Sequence, residues 1–402
     1  MPVTVIRALA ALPHRGATTA NERRAADLLE ELLIGYGAEV TREPFRTPTT
    51  YIWPVWWMLG AMIAGLVGAS FAPWPALVLV GATSLATVLY FDWRWSPASL
   101  LPPRGRSENI VARQPVGAGE VRSTTHTGDR TTLVLMAHYD SAPVSLLYLP
   151  SMVKGFRRSL IASLLLTMVA VGIVLLEALE IGPPFVTWAR WALAVYFLAQ
   201  GVAASFDYFR HGFTNGAADN ASGTGAAVAT ARRLWASPPA AWDIVLVLTG
   251  AEEVGMVGAA HYFRRHRAQM DPSRTVVLNF DNVGSGALKV ITETGSLTPV
   301  VYDSDVVRAA LAVAAEEARF SAVKPAAWHI GDFDTLIFAR AGIPSLTLSA
   351  QDARGLVPHL HRPDDVLEHV DLFLPAQAAD FAWAVVDRLA RDRGRAGQAG
   401  EP

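Results

Sequence analysis

The distribution of hydrophobic residues divides the chain into two kinds of sequence. Residues 51–91 contain no Asp, Glu, Lys or Arg, and a proline-containing stretch at 71–75 separates two apolar halves, each about 18–20 residues long. Residues 159–176 are also uncharged, and residues 185–206 carry only Arg190, which we expect to reach the membrane surface from one end of its helix. This pattern predicts two transmembrane helical hairpins, at residues 51–92 and 156–207, although buried hairpins in a soluble core are an alternative.

Basic residues lie at the open ends of both hairpins, while the short turns near 71–75 and 182–184 contain no Lys or Arg. The flanking basic residues are Arg42, Arg46, Arg94, Arg104, Arg106, Lys154, Arg157, Arg158 and Arg210. Because basic segments remain on the cytoplasmic side, this asymmetry predicts that the open ends of both hairpins face the cytoplasm. The protein is expected to be a multi-pass protein of the plasma membrane. The rest of the chain, with both termini, is expected in the cytoplasm. The N-terminus lacks the continuous apolar core of a secretory signal.

Outside the hairpins, short apolar runs alternate with amphipathic stretches. The runs predict strands at residues 109–113, 132–137, 244–248, 275–279 and 344–348. The amphipathic stretches predict helices at residues 21–36, 223–235, 257–266, 306–318 and 376–390. This alternation predicts an α/β fold with a mixed, mainly parallel sheet covered by helices on both faces. Residues 1–50, 93–155 and 208–392 would form one domain interrupted by the hairpins, followed by a disordered tail at 393–402.

Composition limits the chemistry that the chain can perform. It has 402 residues, 17% of them charged, a mean hydropathy of +0.27 and a formal net charge of −2. The net charge gives no reason to expect a nucleic-acid partner. Cysteine is absent, which excludes disulfides, thiolate catalysis and cysteine-bound metals. Any metal must be held by His, Asp and Glu. No oligomeric state is predicted.

Acidic residues and histidines follow several of the predicted strands. The strand at 132–137 leads into His138 and Asp140, the strand at 244–248 into Glu252 and Glu253, and the strand at 275–279 into Asp281. In α/β sheets, chemistry gathers at these strand ends. Two further candidates lie elsewhere, Asp219 before a predicted helix and His361 in a late loop.

Each candidate also has an ordinary structural explanation. Adjacent glutamates often point into solvent, His138 could be a hydrogen-bonded core histidine, and His361 a surface residue. Asp219 and Asp281 could be cap or turn residues. Trp328 and His329 could line a cleft or simply pack as an aromatic beside a capping histidine. The occurrence of all five groups at element ends favours a shared site.

The chain contains, in this order, the motifs His138-x-Asp140, Asp219-Asn-Ala-Ser-Gly223, Glu252-Glu253, Asn279-Phe-Asp281 and His361-x-Pro-Asp-Asp365. As an ordered set, these motifs resemble the co-catalytic zinc aminopeptidase family, which includes bacterial leucyl aminopeptidase and aminopeptidase Y. More distant members are glutamate carboxypeptidase II and glutaminyl cyclase. Asp332-Phe-Asp334 also resembles a family segment. Both hairpins depart from the soluble members, and the second lengthens the gap between Asp140 and Asp219.

The resemblance implies a role for each residue. Two zinc ions per chain would share Asp219, with His138 and Asp281 completing one site and Glu253 and His361 the other. Glu252 would act as the general base, and Asp140 would accept the second N–H of the His138 ring. The implied activity is hydrolysis of peptide substrates at a lipid bilayer, most simply by a membrane-anchored aminopeptidase.

Other functions remain open at this point. A carboxypeptidase or a glutaminyl cyclase would use the same fold. A catalytically silent membrane scaffold is also possible in principle, but such relatives lose ligands and all five are present here. A transporter is disfavoured because the apolar spans offer no polar path.

Overall fold

The computed structural model describes residues 2–114 and 130–399. The α-helices of this part of the chain are α1 (Pro2–Ala10), α2 (Ala20–Gly35), α3 (Ile52–Gly68), α4 (Pro73–Phe91), α5 (Phe156–Ala178), α6 (Phe185–His211), α7 (Gly223–Ala236), α8 (Val257–His266), α9 (Asp305–Glu316), α10 (Thr335–Ala339) and α11 (Leu374–Ala399). The strands are β1 (Glu39–Pro48), β2 (Arg104–Arg113), β3 (Thr131–His138), β4 (Trp242–Thr249), β5 (Thr275–Phe280), β6 (Ala287–Thr294), β7 (Val300–Val301), β8 (Lys324–Ala327) and β9 (Ser345–Gln351).

The strands form one mixed sheet in the order β1-β2-β4-β3-β5-β9-β6-β7, with β8 also paired to β6. Its centre is parallel, because β4, β3, β5 and β9 run in the same direction, while β2 and β6 join it antiparallel. The carboxyl ends of the central strands therefore meet at one edge.

Helices cover both faces of this sheet. On β3, Leu133 and Leu135 pack into a core that includes residues of α2, α7, α9 and α11. The alternate residues Val134 and Met136 pack into a second core with residues of α8 and α10. Burial on both faces explains why the central strands read as continuous apolar runs. The predicted α/β fold class is confirmed.

The strands at the sheet margins were not predicted. In β1, the sequence EVTREPFRTP is mostly polar and includes Pro44 and Pro48. Proline is tolerated there because β1 pairs only with β2 and leaves its other edge free of ladder hydrogen bonds. In β6, exposed and buried positions are mixed, so no continuous apolar run marks it.

The C-terminal helix extends into the predicted disordered tail. Residues 393–399 belong to α11, and residues 400–402 lie outside the described part of the chain. Arg393 donates to the Asp305 carboxylate at 2.8 Å, which fixes this part of α11 to α9. Arg388 and Asp392 pair one turn apart on the same helix at 2.8 Å. These ion pairs support helical order that the composition of the tail did not suggest.

The four apolar helices pack as two hairpins in one bundle. Met62 of α3, Val80 of α4, Val174 of α5 and Phe197 of α6 meet in a core separate from that of the sheet domain. Among the described residues, three helical segments are long and apolar enough to cross a membrane: Pro73–Phe91, Val153–Ala178 and Phe185–His211. The remaining helix, Ile52–Gly68, has 17 residues, at the short end of the range for a span.

Arg190 does not reach the bundle surface as predicted. Its side chain is 3% exposed, and its Nε lies 2.8 Å from Glu177 of α5. The guanidinium also donates to the carbonyl of Leu66 and, at 2.7 Å, to Ser70. A buried charge requires such partners, and these protein groups take the place of water around the guanidinium. Arg190 therefore joins both hairpins near their turns.

Replacing Arg190 with Ala should separate the hairpins at this end. The substitution leaves the partly buried Glu177 carboxylate without its arginine partner, and we expect a loss of about 2 kcal/mol in stability. Thermal unfolding of the detergent-purified protein measures the change. Arg210→Ala removes an exposed arginine from the same helix and serves as the control. Equal melting temperatures for the two variants would contradict the role given to Arg190.

Candidate metal centre

The predicted site residues meet at the carboxyl edge of the central strands. His138 is the last residue of β3, Glu252 and Glu253 follow β4 after a short turn, and Asp281 directly follows β5. Because these strands are parallel neighbours, their ends lie side by side.

Asp219 reaches the same point from the opposite side. It lies in a kinked turn, Ala217–Ser222, directly before α7, where Asp219 and Asn220 have non-helical backbone angles. The turn comes close to the end of β5, since a Cβ on Gly223 would meet the Asn220 side chain at 2.1 Å and the Phe280 carbonyl oxygen at 2.4 Å. Only glycine fits this contact, which brings the Asp219 carboxylate over the sheet edge.

The two oxygens of Asp219 face different histidines. Oδ1 lies 3.3 Å from His138 Nε2, and Oδ2 lies 3.3 Å from His361 Nε2. Each histidine also approaches a second carboxylate: His138 Nε2 is 3.5 Å from Asp281 Oδ2, and His361 Nε2 is 3.0 Å from Glu253 Oε2. The result is two sets of three donor atoms that share Asp219.

These distances fit zinc. Ligand atoms about 2.0–2.1 Å from a tetrahedral ion lie about 3.3 Å from one another, close to the separations within both sets. Asp219 Oδ2 and Glu253 Oε1 are buried and have no hydrogen-bond partner in the protein. Buried carboxylate oxygens of this kind are costly unless a cation or a donor meets them. The donor set, histidine and carboxylate without cysteine, is one that zinc accepts.

Glu252 lies beside these two sets without belonging to either. Its side chain lines the same cavity as His138, Asp219 and Asp281. Its backbone N–H donates to Asp140 Oδ1 at 3.0 Å, and the N–H of Glu253 donates to Asp140 Oδ2 at 3.2 Å. Asp140 thus fixes the turn that carries both glutamates.

The predicted contact between Asp140 and His138 is long. Asp140 Oδ1 lies 3.5 Å from His138 Nδ1, and this nitrogen has no hydrogen-bond partner. At this distance the pair is an electrostatic contact rather than a hydrogen bond. The two backbone N–H groups after β4 are therefore the closer partners of Asp140.

The pKa values of the carboxyl groups at the site are strongly shifted. Burial raises the pKa of the Glu252 carboxyl well above its usual range, and the nearby Glu253 and Asp334 add to the shift. Burial also raises the pKa of Glu253 to about 7, although His361 opposes this. For Asp219, burial opposes ionisation, but the two imidazoles outweigh it and hold its pKa below the usual range. A divalent cation would favour the ionised form of every carboxyl in the cluster.

Two supporting residues were missed in the sequence. Asp365 accepts hydrogen bonds from the N–H groups of Ala218 and Asp219, at 2.7 and 3.1 Å, and so holds the turn before α7. Arg15 is fully buried and donates to the carbonyls of Tyr139 and Gly216, each at 2.7 Å. It therefore ties the segment after β3 to the segment before α7. Asp365 stands in the quoted motif His361-x-Pro-Asp-Asp365, but no local signal marks Arg15.

Backbone geometry at the site is also unusual. Ala251, Asn282 and His361 adopt left-handed conformations, with φ of 52°, 55° and 52°. Non-glycine residues adopt this region at a cost, and they gather at functional sites. Here each left-handed residue is a predicted site residue or the immediate neighbour of one. The sharp turns direct the side chains toward one another.

The remaining candidate segments lie around the cavity. Trp328 lines it, whereas His329 contacts the Gly295 carbonyl at 3.2 Å and is not among its described lining residues. Asp334 accepts from Thr249 Oγ1 at 2.6 Å at the end of β4. Asp332 accepts the indole N–H of Trp93, just beyond α4. Asp332 therefore fixes the first hairpin to the sheet domain.

Comparison with known proteins finds a family whose model matches part of this chain. The model of Peptidase family M28 matches residues 201–386, the part that contains Asp219, Glu253, Asp281 and His361. Aminopeptidase YwaD of Bacillus subtilis is 32% identical over 181 residues, which are 43% of this chain and 38% of that protein. The chain thus spans well under half of the length of this relative.

Solved structures show the same fold. BSAP, a zinc aminopeptidase from Bacillus subtilis, superposes with a TM-score of 0.54 at 16% identity, covering 96% of this chain and 93% of that one. An aminopeptidase from Aneurinibacillus sp. strain AM-1 superposes with a TM-score of 0.56 at 14% identity, with the same coverage. The predicted resemblance to zinc aminopeptidases is confirmed: residues 201–386 match the model of Peptidase family M28, and the chain has the fold of solved zinc aminopeptidases.

Proposed function

We propose that the protein is a membrane-anchored aminopeptidase with two zinc ions per chain. The observation that carries this proposal is the position of Asp219, whose two oxygens each face a different histidine and carboxylate pair. One zinc would be held by His138, Asp219 and Asp281, and the other by Asp219, Glu253 and His361. Three protein ligands for each ion leave a position open for water or substrate, as catalytic zinc requires.

When bound, zinc lowers the pKa of water and polarises the scissile carbonyl. Glu252, beside both ligand sets and outside them, takes the proton from the attacking water. The water oxygen bonds to the carbonyl carbon, the C–N bond breaks, and Glu252 passes the proton to the leaving amine. Asp140 holds Glu252 and Glu253 in position through their backbone N–H groups.

The charge around the cavity supports an aminopeptidase over a carboxypeptidase. Glu252, Glu253, Asp281 and Asp332 line it, and its described lining residues include no Lys or Arg. A substrate α-amine would find negative partners here. A C-terminal carboxylate would find no Lys or Arg among these described lining residues.

The outer surface of the helix bundle supports membrane anchoring. Large apolar side chains are exposed there, including Val78 at 72%, Trp188 at 77% and Val195 at 65%. Soluble proteins rarely expose an apolar surface this extensive. Lipid contact accounts for it better than burial in a soluble core.

Glu252→Gln should lower kcat by about 10²–10⁴-fold while leaving zinc content nearly unchanged, because it removes the base and no ligand. Glu253→Gln should instead reduce zinc to about one ion per chain. Hydrolysis of leucine p-nitroanilide and metal analysis after dialysis measure the two effects. Glu31→Gln, on the exposed face of α2, is the control. Near-normal turnover in Glu252→Gln would refute its role.

N-acetylation of a peptide should abolish its hydrolysis, because the amide has no charge for the acidic cavity to bind. Mass spectrometry of the products of free and acetylated forms of one peptide provides the measurement. Release of C-terminal residues from the acetylated form would show a carboxypeptidase. Loss of ammonia from a peptide with N-terminal Gln, without hydrolysis, would show a glutaminyl cyclase.

The proposed topology has four spans, with the sheet domain in the cytoplasm and both turns outside. Since the chain has no cysteine, single cysteines can report it. The exposed turn positions Ala72 and Gly182 should react with an impermeant thiol reagent in intact cells, whereas Ser273 and Ser321 of the domain should react only after lysis. Ser107 is unsuitable because it is buried against Glu22. Labelling of only the domain positions in intact cells would show the opposite orientation, with the sheet domain outside.

A further inference from the structure

One cavity connects the metal centre with the interior of the helix bundle. Its volume is about 650 Å³, within the usual range for small-molecule sites. One end is lined by His138, Asp219, Glu252 and His361. From there the cavity continues between the apolar helices of both hairpins.

The bundle part of the cavity is deep. On α3 its lining extends from Val55 to Met62, and Met62 lies about 15 Å along the helix from Ile52. On α5 it reaches Thr167, and on α6 it reaches Phe197. The cavity therefore runs well into the apolar layer formed by these helices.

Polar groups in this deep part already have partners within the bundle. Ser163 Oγ lies 2.8 Å from the Tyr196 hydroxyl and accepts from Gln200 at 2.7 Å. Thr167 donates to the Leu164 carbonyl on its own helix at 2.7 Å. An extended peptide placed here would bury backbone N–H and C=O groups among walls that offer them few free partners, which is costly. A hydrocarbon chain has no such groups.

Small side chains line the cavity where α5 and α6 leave the sheet domain. Ser159 of α5 and Ala199 and Ala203 of α6 all line it and are all exposed. Ala199 and Ala203 are one turn apart, so they lie on the same face of α6. This part of the wall is open beside an outer bundle surface that is itself apolar, so a lipid-like chain can enter from the side.

We propose that the substrate is an amphiphile, an aminoacyl amide or short peptide that carries a long unbranched alkyl chain. Its α-amine and scissile amide lie at the metal centre, and its alkyl chain lies between α3, α5 and α6. This inference rests on the proposed function and specifies its substrate class. Hydrolysis adds water across the amide C–N bond and releases an acid and an amine, one of which keeps the chain.

The first test compares substrates of different chain length in nanodiscs of one lipid composition. Leucine N-alkylamides from butyl to hexadecyl carry the chain on the leaving amine, and amides of 2-amino fatty acids carry it on the N-terminal residue. We expect kcat/KM to rise with chain length in one of the two series. A flat response in both would overturn the proposal.

Ala203→Trp places a large side chain in the cavity. It should lower the ratio of kcat/KM for the long-chain substrate to kcat/KM for the short-chain substrate by roughly tenfold, because about two methylene groups would no longer fit. Val202→Trp places the same side chain at an exposed neighbour that is not among the described lining residues, and should leave the ratio unchanged. Both variants are measured in the same nanodiscs, so each substrate enters the lipid to the same extent in both. A difference in the ratio between the variants therefore does not come from partitioning into lipid. An unchanged ratio in Ala203→Trp would contradict the proposal.

A second test does not depend on turnover. A leucine alkylamide with a photoreactive diazirine at the chain end is crosslinked to the wild type and to Glu252→Gln, and the labelled peptides are identified by mass spectrometry. We expect label near Met62, Thr167 or Phe197, with competition by unlabelled leucine dodecylamide. Label confined to lipid-facing positions such as Val195, or displaced equally well by phospholipid, would overturn the proposal. Absence of any hydrolysis by the wild type would refute the proposed function, while the label still decides where the chain lies.

Discussion

Mutual repulsion among buried carboxylates is the constraint on which this structure depends. Asp219, Glu253 and Asp281 converge on two imidazoles, with Glu252 and Asp140 directly behind them. Bringing so many acids out of water is unfavourable unless cations compensate. Much of the surrounding fold holds the acids together against this tendency. The parallel strand ends, the turn before α7 and the left-handed residues all serve to keep the cluster closed.

The holding contacts come mainly from backbone groups. Asp140 and Asp365 each accept two N–H groups from segments that carry ligands, and Arg15 ties the backbone of two such segments together. Hydrogen bonds from a charged group to fixed backbone leave little freedom for the attached side chain. The candidate ligands are therefore held in position by the protein itself, which would limit the cost of ordering a metal site.

Prediction from sequence worked where a signal was local. Continuous apolar runs identified the central strands because both faces of the sheet are buried, and the strand ends then identified the acidic residues. The same method missed β1 and β6, whose faces are only partly covered. It also missed the role of Arg15, since its partners are more than a hundred residues away along the chain. Arg190 was misjudged for the same reason: its surface location was inferred from its own helix, while its partners Glu177 and Ser70 lie on α5 and in the turn after α3.

The second hairpin has a further consequence because of where it enters the chain. It leaves the sheet domain after His138 and Asp140 and returns just before Asp219. The two halves of the candidate ligand cluster are thus connected through α5 and α6, and the first hairpin is fixed to the same domain through Trp93 and Asp332. Helices that are too long or too short for a bilayer respond by tilting. In the proposed membrane-anchored protein, any such tilt would act on the backbone that joins the candidate ligands, so bilayer thickness would be a mechanical input to the geometry of the candidate metal centre.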